Sequence, residues 1–338
     1  MIISAISFTD AGYELGERLK GLFNTGANTF AHERCEKGGL AAWTDLHFID
    51  SDALVFIGAT GIAVRAIAPF VEKKTSDPAV VVVDEQGTFA ISLLSGHIGG
   101  ANALASSIAL AIGATPVITT ATDVNGVFAV DTWAKSCGIK IMNPERIVNV
   151  SSELLSDRPV LLINEFFTLG LLPRNVAFHC AAKASIHLTY HSSHQDGALH
   201  LVPPVISLGI GCRRDTTKEA IAAEVDALLA EADVLPEAIR NVASIDIKAA
   251  EPGLVAFCEE RGWPLVTYSA DELLAAPGKF TPSQFVKETV GVDNVCERSA
   301  VLASDGGTVI APKHANNGVT CALAAARYSV CFKEGGIK

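Results

Sequence analysis

The chain has no excess of basic residues, no C-x-x-C pair, few aromatics and no apolar run of membrane-spanning length, and each absence removes a class of protein. Lys and Arg number 26 against 37 Asp and Glu, a formal net charge of −11. Phosphate backbones are gripped by clustered cations, so nucleic acid is not expected as a partner. The cysteines, Cys35, Cys137, Cys180, Cys212, Cys258, Cys296, Cys321 and Cys331, are scattered. An even count in a chain this long does not imply a disulfide framework, and free, mostly buried thiols are expected. Apolar stretches such as 104–118 are interrupted by Ser106, Ser107, Gly113, Thr115 and Pro116, which excludes a transmembrane helix and makes a membrane partner unexpected. Residues 1–8 are apolar but lack a basic n-region and run straight into Asp10. They read as a first strand and not as a signal peptide, with a cytoplasmic location. No strand leads into G-x-G-x-x-G with an acidic residue about 20 positions on, and no glycine turn ends in Gly-Lys-Ser/Thr, which disfavours a dinucleotide-dependent oxidoreductase and a P-loop protein.

What is present suits helices packed on sheets: 338 residues, 49% hydrophobic and 19% charged, a length for about two to three domains. The expected fold class is α/β. An N-terminal, Rossmann-like domain with a parallel sheet occupies 1–140, a small irregular middle region 141–203, and a separate C-terminal α/β domain 204–331, with Pro203-Pro204 at the boundary. Strand–turn–helix patterns recur in the first domain. Residues 2–8 precede a helix over 11–23 capped by Asp10, and residues 53–57 feed Gly58-Ala59-Thr60-Gly61 and a helix that ends near Pro69 and Lys73-Lys74. The β-branched run 80–83, the turn Asp84-Glu85-Gln86-Gly87 and residues 88–93 read as a hairpin. Residues 116–119 lead into Thr119-Thr120-Ala121-Thr122-Asp123 and a helix over 127–136.

The most distinctive turn is Ser95-Gly96-His97-Ile98-Gly99-Gly100-Ala101-Asn102, between a β-like run and an Ala/Leu-rich helix. Glycines let a ligand approach the backbone, free N–H groups at a helix start attract anions, and His97 titrates near neutrality. The turns at 58–61, 95–100 and 119–123 are expected to converge on the C-terminal edge of one parallel sheet, where α/β proteins bind ligands. On that geometry Glu85 lies at the opposite edge and is a poor catalytic candidate. Blander readings stand beside these: His97 simply holds its turn, Thr122 or Asp123 caps a helix, and Arg65 makes a structural ion pair.

The middle region holds His179, His187, His191, His194 and His200, but at no zinc spacing, so they read as solvated or structural and no protein metal site is expected. Beyond residue 204 a strand runs into the turn Gly209-Ile210-Gly211-Cys212-Arg213-Arg214, and Thr216 with Glu219 forms a capping box. Residues 242–245 lead to Asp246-Ile247-Lys248. Lys313 and His314 fall between strands near 308–310 and 319–322, and 318–320 reads as a final edge strand. Cys212 has no nearby histidine in sequence and reads as a packed thiol.

The segments 57–69 and 77–80, Leu93-Leu94 with the 95–102 turn, and the 119–123 turn together resemble the CbiG family of cobalamin biosynthesis. In the far half Gly209 to Arg214, Asp246 to Glu251, Val295-Cys296-Glu297 and Lys313 resemble the same family's C-terminal domain and the stand-alone CobE protein. The resemblance covers nearly the whole chain and is weakest in the middle region. It implies a cobalt-precorrin-5A hydrolase, which opens the δ-lactone of a ring-contracted macrocycle and releases acetaldehyde. Cobalt then belongs to the substrate, and no cofactor is expected. Lactone hydrolysis needs an activated water, donors for the oxyanion and a proton for the alkoxide. His97 is the first choice as base, with Asp123 as base or as the group orienting the histidine. N–H groups around Gly99 and Gly100 are expected to hold an oxyanion or a carboxylate. The expected substrate contacts are Gly58, Thr60, Gly61, Arg65, Ser95, Gly96, Asn102, Thr119, Thr120 and Thr122, and, across a cleft between the α/β domains, Gly209, Gly211, Arg213, Arg214, Asp246, Lys248, Glu251 and Lys313. The expected partner is a cobalt-corrinoid small molecule, with transient contact with other pathway enzymes open and no oligomeric state implied. A corrinoid carrier without catalysis is the alternative of a different class.

Overall fold

The computed structural model describes residues 1–73, 76–97, 99–179, 184–193 and 197–332, so Lys74, Ile98, Cys180 and His194 lie outside the described residues. The chain divides into two compact units, Met1–Thr132 and Trp133–Lys338.

The first unit alternates strands and helices: β1 (Ile2–Ser7), α1 (Asp10–Phe23), β2 (Thr29–Arg34), α2 (Leu40–Asp50), β3 (Ala53–Ile57), α3 (Thr60–Ile67), β4 (Ala79–Val83), β5 (Phe89–Leu94), α4 (Ala101–Ile112), β6 (Thr115–Val117), the short α5 (Ala121–Val124) and α6 (Val130–Ser136), which runs past the division. The six strands lie in the order β2-β1-β3-β4-β5-β6. Every residue of β3 and β4 is buried, as in central strands covered on both faces. Leu54, Phe56, Val80 and Val82 pack with Trp43, Phe48, Ala63 and Ile67 of α2 and α3. Their neighbours Val55, Ile57, Val81 and Val83 pack on the other face with Leu19 of α1 and Leu104, Ala105 and Ile108 of α4. Full burial of each such aliphatic side chain contributes about 1.5–3 kcal/mol, and a slip of one residue would exchange the two faces.

Strands β1 to β4 are parallel. The expected hairpin is present: β5 returns antiparallel to β4, with Val83 opposite Ala90 and Val80 opposite Leu94, and β6 runs parallel to β5. The cause is the short connection through Asp84-Glu85-Gln86-Gly87, because parallel neighbours need a crossover of about a dozen residues or more. Gly87 supplies the left-handed conformation that this turn uses, with φ +70°. This direction corrects the expected convergence of three turns. The 58–61 turn leaves the C-terminal ends of the parallel strands together with Glu85, whereas the 95–100 and 119–123 turns share the opposite edge. Glu85 does lie across the sheet from His97, and it accepts a hydrogen bond from Thr9 Oγ1 at 2.7 Å. Thr9, and not Asp10, caps α1 by accepting from Gly12 N, while Asp10 pairs with Arg34.

In the second unit the region expected to be irregular builds a sheet of short strands. It comprises β7 (Lys140–Ile141), α7 (Ile147–Leu155), β8 (Val160–Asn164), β9 (Phe167–Leu169), β10 (Val176–Phe178), β11 (Ile186–Leu188) and β12 (Leu199–Val202), with sheet order β10-β8-β11-β12-β7. There follow β13 (Ile206–Cys212), α8 (Lys218–Glu231), β14 (Ile239–Ile245), α9 (Pro252–Arg261), β15 (Leu265–Tyr268), α10 (Ala270–Ala275), α11 (Gln284–Val290), α12 (Cys296–Ala303), β16 (Thr308–Asn316), β17 (Val319–Ala325) and β18 (Ser329–Cys331). Their sheet runs β15-β14-β13-β17-β16, and β18 pairs with β9. Residues 319–320 therefore open an interior strand and not an edge strand, and Lys313 and His314 lie within β16. Thr217, and not Thr216 with Glu219, caps α8 by accepting from Ala220 N.

Among the described residues no helix is long and apolar enough to cross a membrane. The described cysteines are free; Cys258, Cys296 and Cys321 are buried and the other four half-buried.

Candidate active site

Strand β5 ends at Leu94, and Ser95 turns the chain with a left-handed φ of +55°. The turn then closes on itself: Ser95 O accepts from Ala101 N, Gly96 O from Asn102 N and His97 O from Gly100 N, at 3.0–3.1 Å. The Gly100 amide is thus already committed, which corrects its expected role as an oxyanion donor. Close packing explains the other glycines. A Cβ on Gly96 would stand 2.7 Å from Asn102 Oδ1, and one on Gly99 would stand 2.2 Å from Ser95 Cβ. Gly100 caps α4 with φ +92°.

The turn delivers two side chains to residues that follow β6. Asn102 is buried; its Oδ1 accepts from Ser92 Oγ at 2.7 Å, and its Nδ2 donates to Thr120 Oγ1 at 3.0 Å and to Asp123 Oδ2 at 2.9 Å. His97 Nε2 lies 2.7 Å from the same Asp123 Oδ2 and 3.1 Å from Thr122 Oγ1. On the other side of the ring, Nδ1 lies 3.4 Å from Asp131 Oδ2. Neither Thr122 nor Asp123 caps α5; Thr120 holds that position without a side-chain cap bond. Asp131, in the first turn of α6, was not among the residues singled out by sequence. No local pattern marks it, since the stretch 127–136 reads as one helix and the contact to His97 is made in space.

Two carboxylates push the imidazole pKa up to about 9: the pairing with Asp131 is the largest influence, burial opposes it, and the pairing with Asp123 adds to it. Asp123 is nearer, but Asp131 acts through a drier environment, where charge interactions are stronger. Burial pushes the Asp131 carboxyl up, yet its pairing with His97 leaves it below its ordinary value. At neutral pH the ring is an imidazolium, a proton donor, which changes its expected entry role as a base. Ser95 Oγ is buried without a hydrogen-bond partner among the described residues. Thr119 is exposed.

The remaining candidates of the first unit lie at its opposite sheet edge. Gly58, Thr60, Gly61 and Arg65 sit across the sheet, where Gly58 packs under Phe8 and Arg65 donates to Gly61 O at 3.1 Å. In the second unit Gly209 and Gly211 are strand residues of β13, not a turn. A Cβ on Gly209 would stand 1.8 Å from Cys296 O, and one on Gly211 2.7 Å from Thr320 Oγ1. Arg213 and Arg214 follow the strand and are exposed. Lys248 pairs with Glu251 at 2.6 Å, and Glu251 also accepts from Asp215 N at 2.7 Å; the Lys248 ammonium holds the Glu251 carboxyl below its ordinary value. Asp246 accepts from Ile247 N. The Lys313 amide donates to Glu297, a buried carboxylate that also accepts from Thr281 and Asn294 and so ties three segments together. Burial pushes the Cys212 thiol up, in keeping with a packed thiol. Of the middle histidines, His187 and His191 approach Glu165, and among the described residues no group of three His, Cys, Asp or Glu could hold a metal.

Fold and site together define an α/β protein in which a histidine is set between two carboxylates at the ends of two neighbouring strands. The chain belongs to the cobalamin synthesis G (CbiG) family: the family's N-terminal model matches residues 42–123 and its C-terminal model residues 206–324. The chain is 37% identical over 327 residues to the cobalt-precorrin-5A hydrolase of Salmonella typhimurium, covering 90% of this chain and 92% of that relative. To the cobalt-precorrin-5A hydrolase of Priestia megaterium it is 32% identical over 296 residues, 81% and 79% of the two chains. Protein CobE of Sinorhizobium sp. is 34% identical over 119 residues, 35% of this chain and 77% of that protein. The chain is a hydrolase of cobalamin synthesis.

Proposed function

We propose that the chain hydrolyses cobalt-precorrin-5A, opening its δ-lactone and releasing the extruded carbon with its methyl as acetaldehyde, to give cobalt-precorrin-5B. The observation that carries this reading is His97 set between Asp123 and Asp131 at the ends of β5 and β6, in a chain alike over most of its length to hydrolases of that name. Cobalt enters with the substrate, and the proposal involves no protein-held metal or cofactor.

In the first stage water adds to the lactone carbonyl and passes its proton to Asp123, whose Oδ1 has no donor among the described residues. The acyl C–O bond then breaks, and the departing alkoxide takes the proton of His97, leaving a carboxylic acid and a free hydroxyethyl group. In the second stage neutral His97 accepts the hydroxyl proton as the C–C bond breaks. The electron pair enters the conjugated macrocycle, which takes up a proton, and acetaldehyde leaves. One ring thus serves as acid and then as base, each role worth about 10²–10⁴ in rate. Arg213, Arg214 and Lys313 are the proposed partners of the macrocycle's carboxylates.

The test is anaerobic incubation of the purified protein with cobalt-precorrin-5A. Acetaldehyde release at catalytic protein concentration is expected. Corrinoid binding without release would replace this reading with the carrier.

A further inference from the structure

We infer that Asp131 is a positioning residue: it fixes the tautomer of His97, so that Nε2 is the nitrogen that exchanges protons with the substrate. The inference rests on the hydrolase reading for the identity of the substrate, and on the geometry alone for the state of the ring.

The two flanks of the imidazole differ in access. Asp131, on the Nδ1 side, has a side chain 9% exposed, whereas Asp123, on the Nε2 side, is 38% exposed. Substrate therefore reaches the ring from the Nε2 side. Asp131 is also held in place, because its Oδ1 accepts from Thr132 N at 2.9 Å, and Val130, next to it on α6, is fully buried. A neutral imidazole keeps one N–H and presents one lone pair. Each nitrogen faces a carboxylate oxygen, Nε2 at 2.7 Å and Nδ1 at 3.4 Å. Water can take over the hydrogen bond to the open Asp123 carboxylate but not that to the dry Asp131 carboxylate, so the proton stays on Nδ1 and the ring gives up the one on Nε2. Loss of a proton to the departing alkoxide then leaves a bare Nε2 on the open side, where the hydroxyl of the second stage must be deprotonated. Among the described residues the charged groups facing the ring are Asp123 of α5 and Asp131 of α6; Thr122 and Asn102 are neutral neighbours of the same cluster. The division of labour follows. Asp131 orients, and Asp123 shares the substrate-facing side.

The test uses the full chain and two readouts. The first is nitrogen NMR of the His97 ring against pH. In the wild type a titration near pH 9 is expected, with Nδ1 protonated in the neutral form. In Asp131→Asn the midpoint should fall toward the ordinary 6.5. The second is the pH profile of acetaldehyde release. Asp131→Asn should lower kcat at neutral pH by about 100-fold or more, with KM within about twofold, and Asp131→Glu should recover part of the loss; general acid–base terms have this size. An unchanged ring titration with an unchanged pH profile in Asp131→Asn would overturn the inference. Should that variant fail to fold, the wild-type ring still decides: a neutral form protonated on Nε2 contradicts the proposal. If the wild type folds and titrates as stated but releases no acetaldehyde, the hydrolase reading fails and the assignment of Asp131 to the ring stands.

Discussion

The two edges of the N-terminal sheet look alike in sequence and differ in chemistry. Each carries a strand, a glycine-bearing turn and a helix. At the β3 edge the turn closes on its own chain, with Arg65 donating to Gly61 O and Gly58 packed under Phe8. At the β5–β6 edge the amides of Gly100, Ala101 and Asn102 bond back within the turn, and the side chains of His97 and Asn102 meet Thr120, Thr122 and Asp123 from beyond the next strand. Glycine in a turn is therefore a poor guide to a ligand. What distinguishes the second edge is a pair of side chains that can be satisfied only by another element.

The largest contrast between the edges is catalytic. His97→Ala should lower acetaldehyde release by at least about 10³-fold, since it removes an acid and a base role together, while Arg65→Gln should stay within about twofold; comparable losses in both would erase the distinction. A contrast in stability comes next. Gly99→Ala forces a Cβ to within 2.2 Å of Ser95 Cβ and should cost about 2–3 kcal/mol in denaturant unfolding. Gly61→Ala, inside α3, meets only Arg65 Nη1 at 3.4 Å and should be neutral or stabilising by up to about 1 kcal/mol.

A smaller contrast lies in pH dependence. The folded-state pKa of His97 is raised from 6.5 to about 9, so its contribution is fully present below pH 6.5 and is lost as pH rises through 9. The loss should be about 1–2 kcal/mol, less than the full shift because Asp123 is open to solvent. Comparing unfolding of the wild type with His97→Gln over that range measures it. A pH dependence unchanged by His97→Gln would place the stabilising proton elsewhere. Smallest of all, Arg213→Gln with Arg214→Gln should weaken binding of a carboxylate-bearing cobalt corrinoid by about tenfold at low salt and leave kcat alone. Unchanged affinity would remove both from the site.

Much of this organisation was legible in the chain. The β-branched run 80–83, the Asp-Glu-Gln-Gly turn and the run 88–93 announced a hairpin, and the meeting of the His97 turn with the 119–123 turn was one part of the expectation that three turns share a sheet edge. The hairpin also carried a consequence that the expectation of three converging turns missed. A connection that short reverses the strand, and reversal moves the His97 turn to the edge opposite Gly58. Asp131 was not legible, because what singles it out is its distance to His97 and not its neighbours in sequence. Gly209 and Gly211 misled for a related reason: glycine that admits a ligand and glycine that admits a packed helix are written identically, and only the approach of Cys296 O tells them apart.

The most direct test of where the chemistry lies is amide hydrogen exchange on the intact protein with and without a carboxylate-bearing cobalt corrinoid. Protection confined, within the first unit, to residues 95–102 and 119–131 is the predicted result. Protection at residues 58–65, with the His97 turn unchanged, would contradict the account.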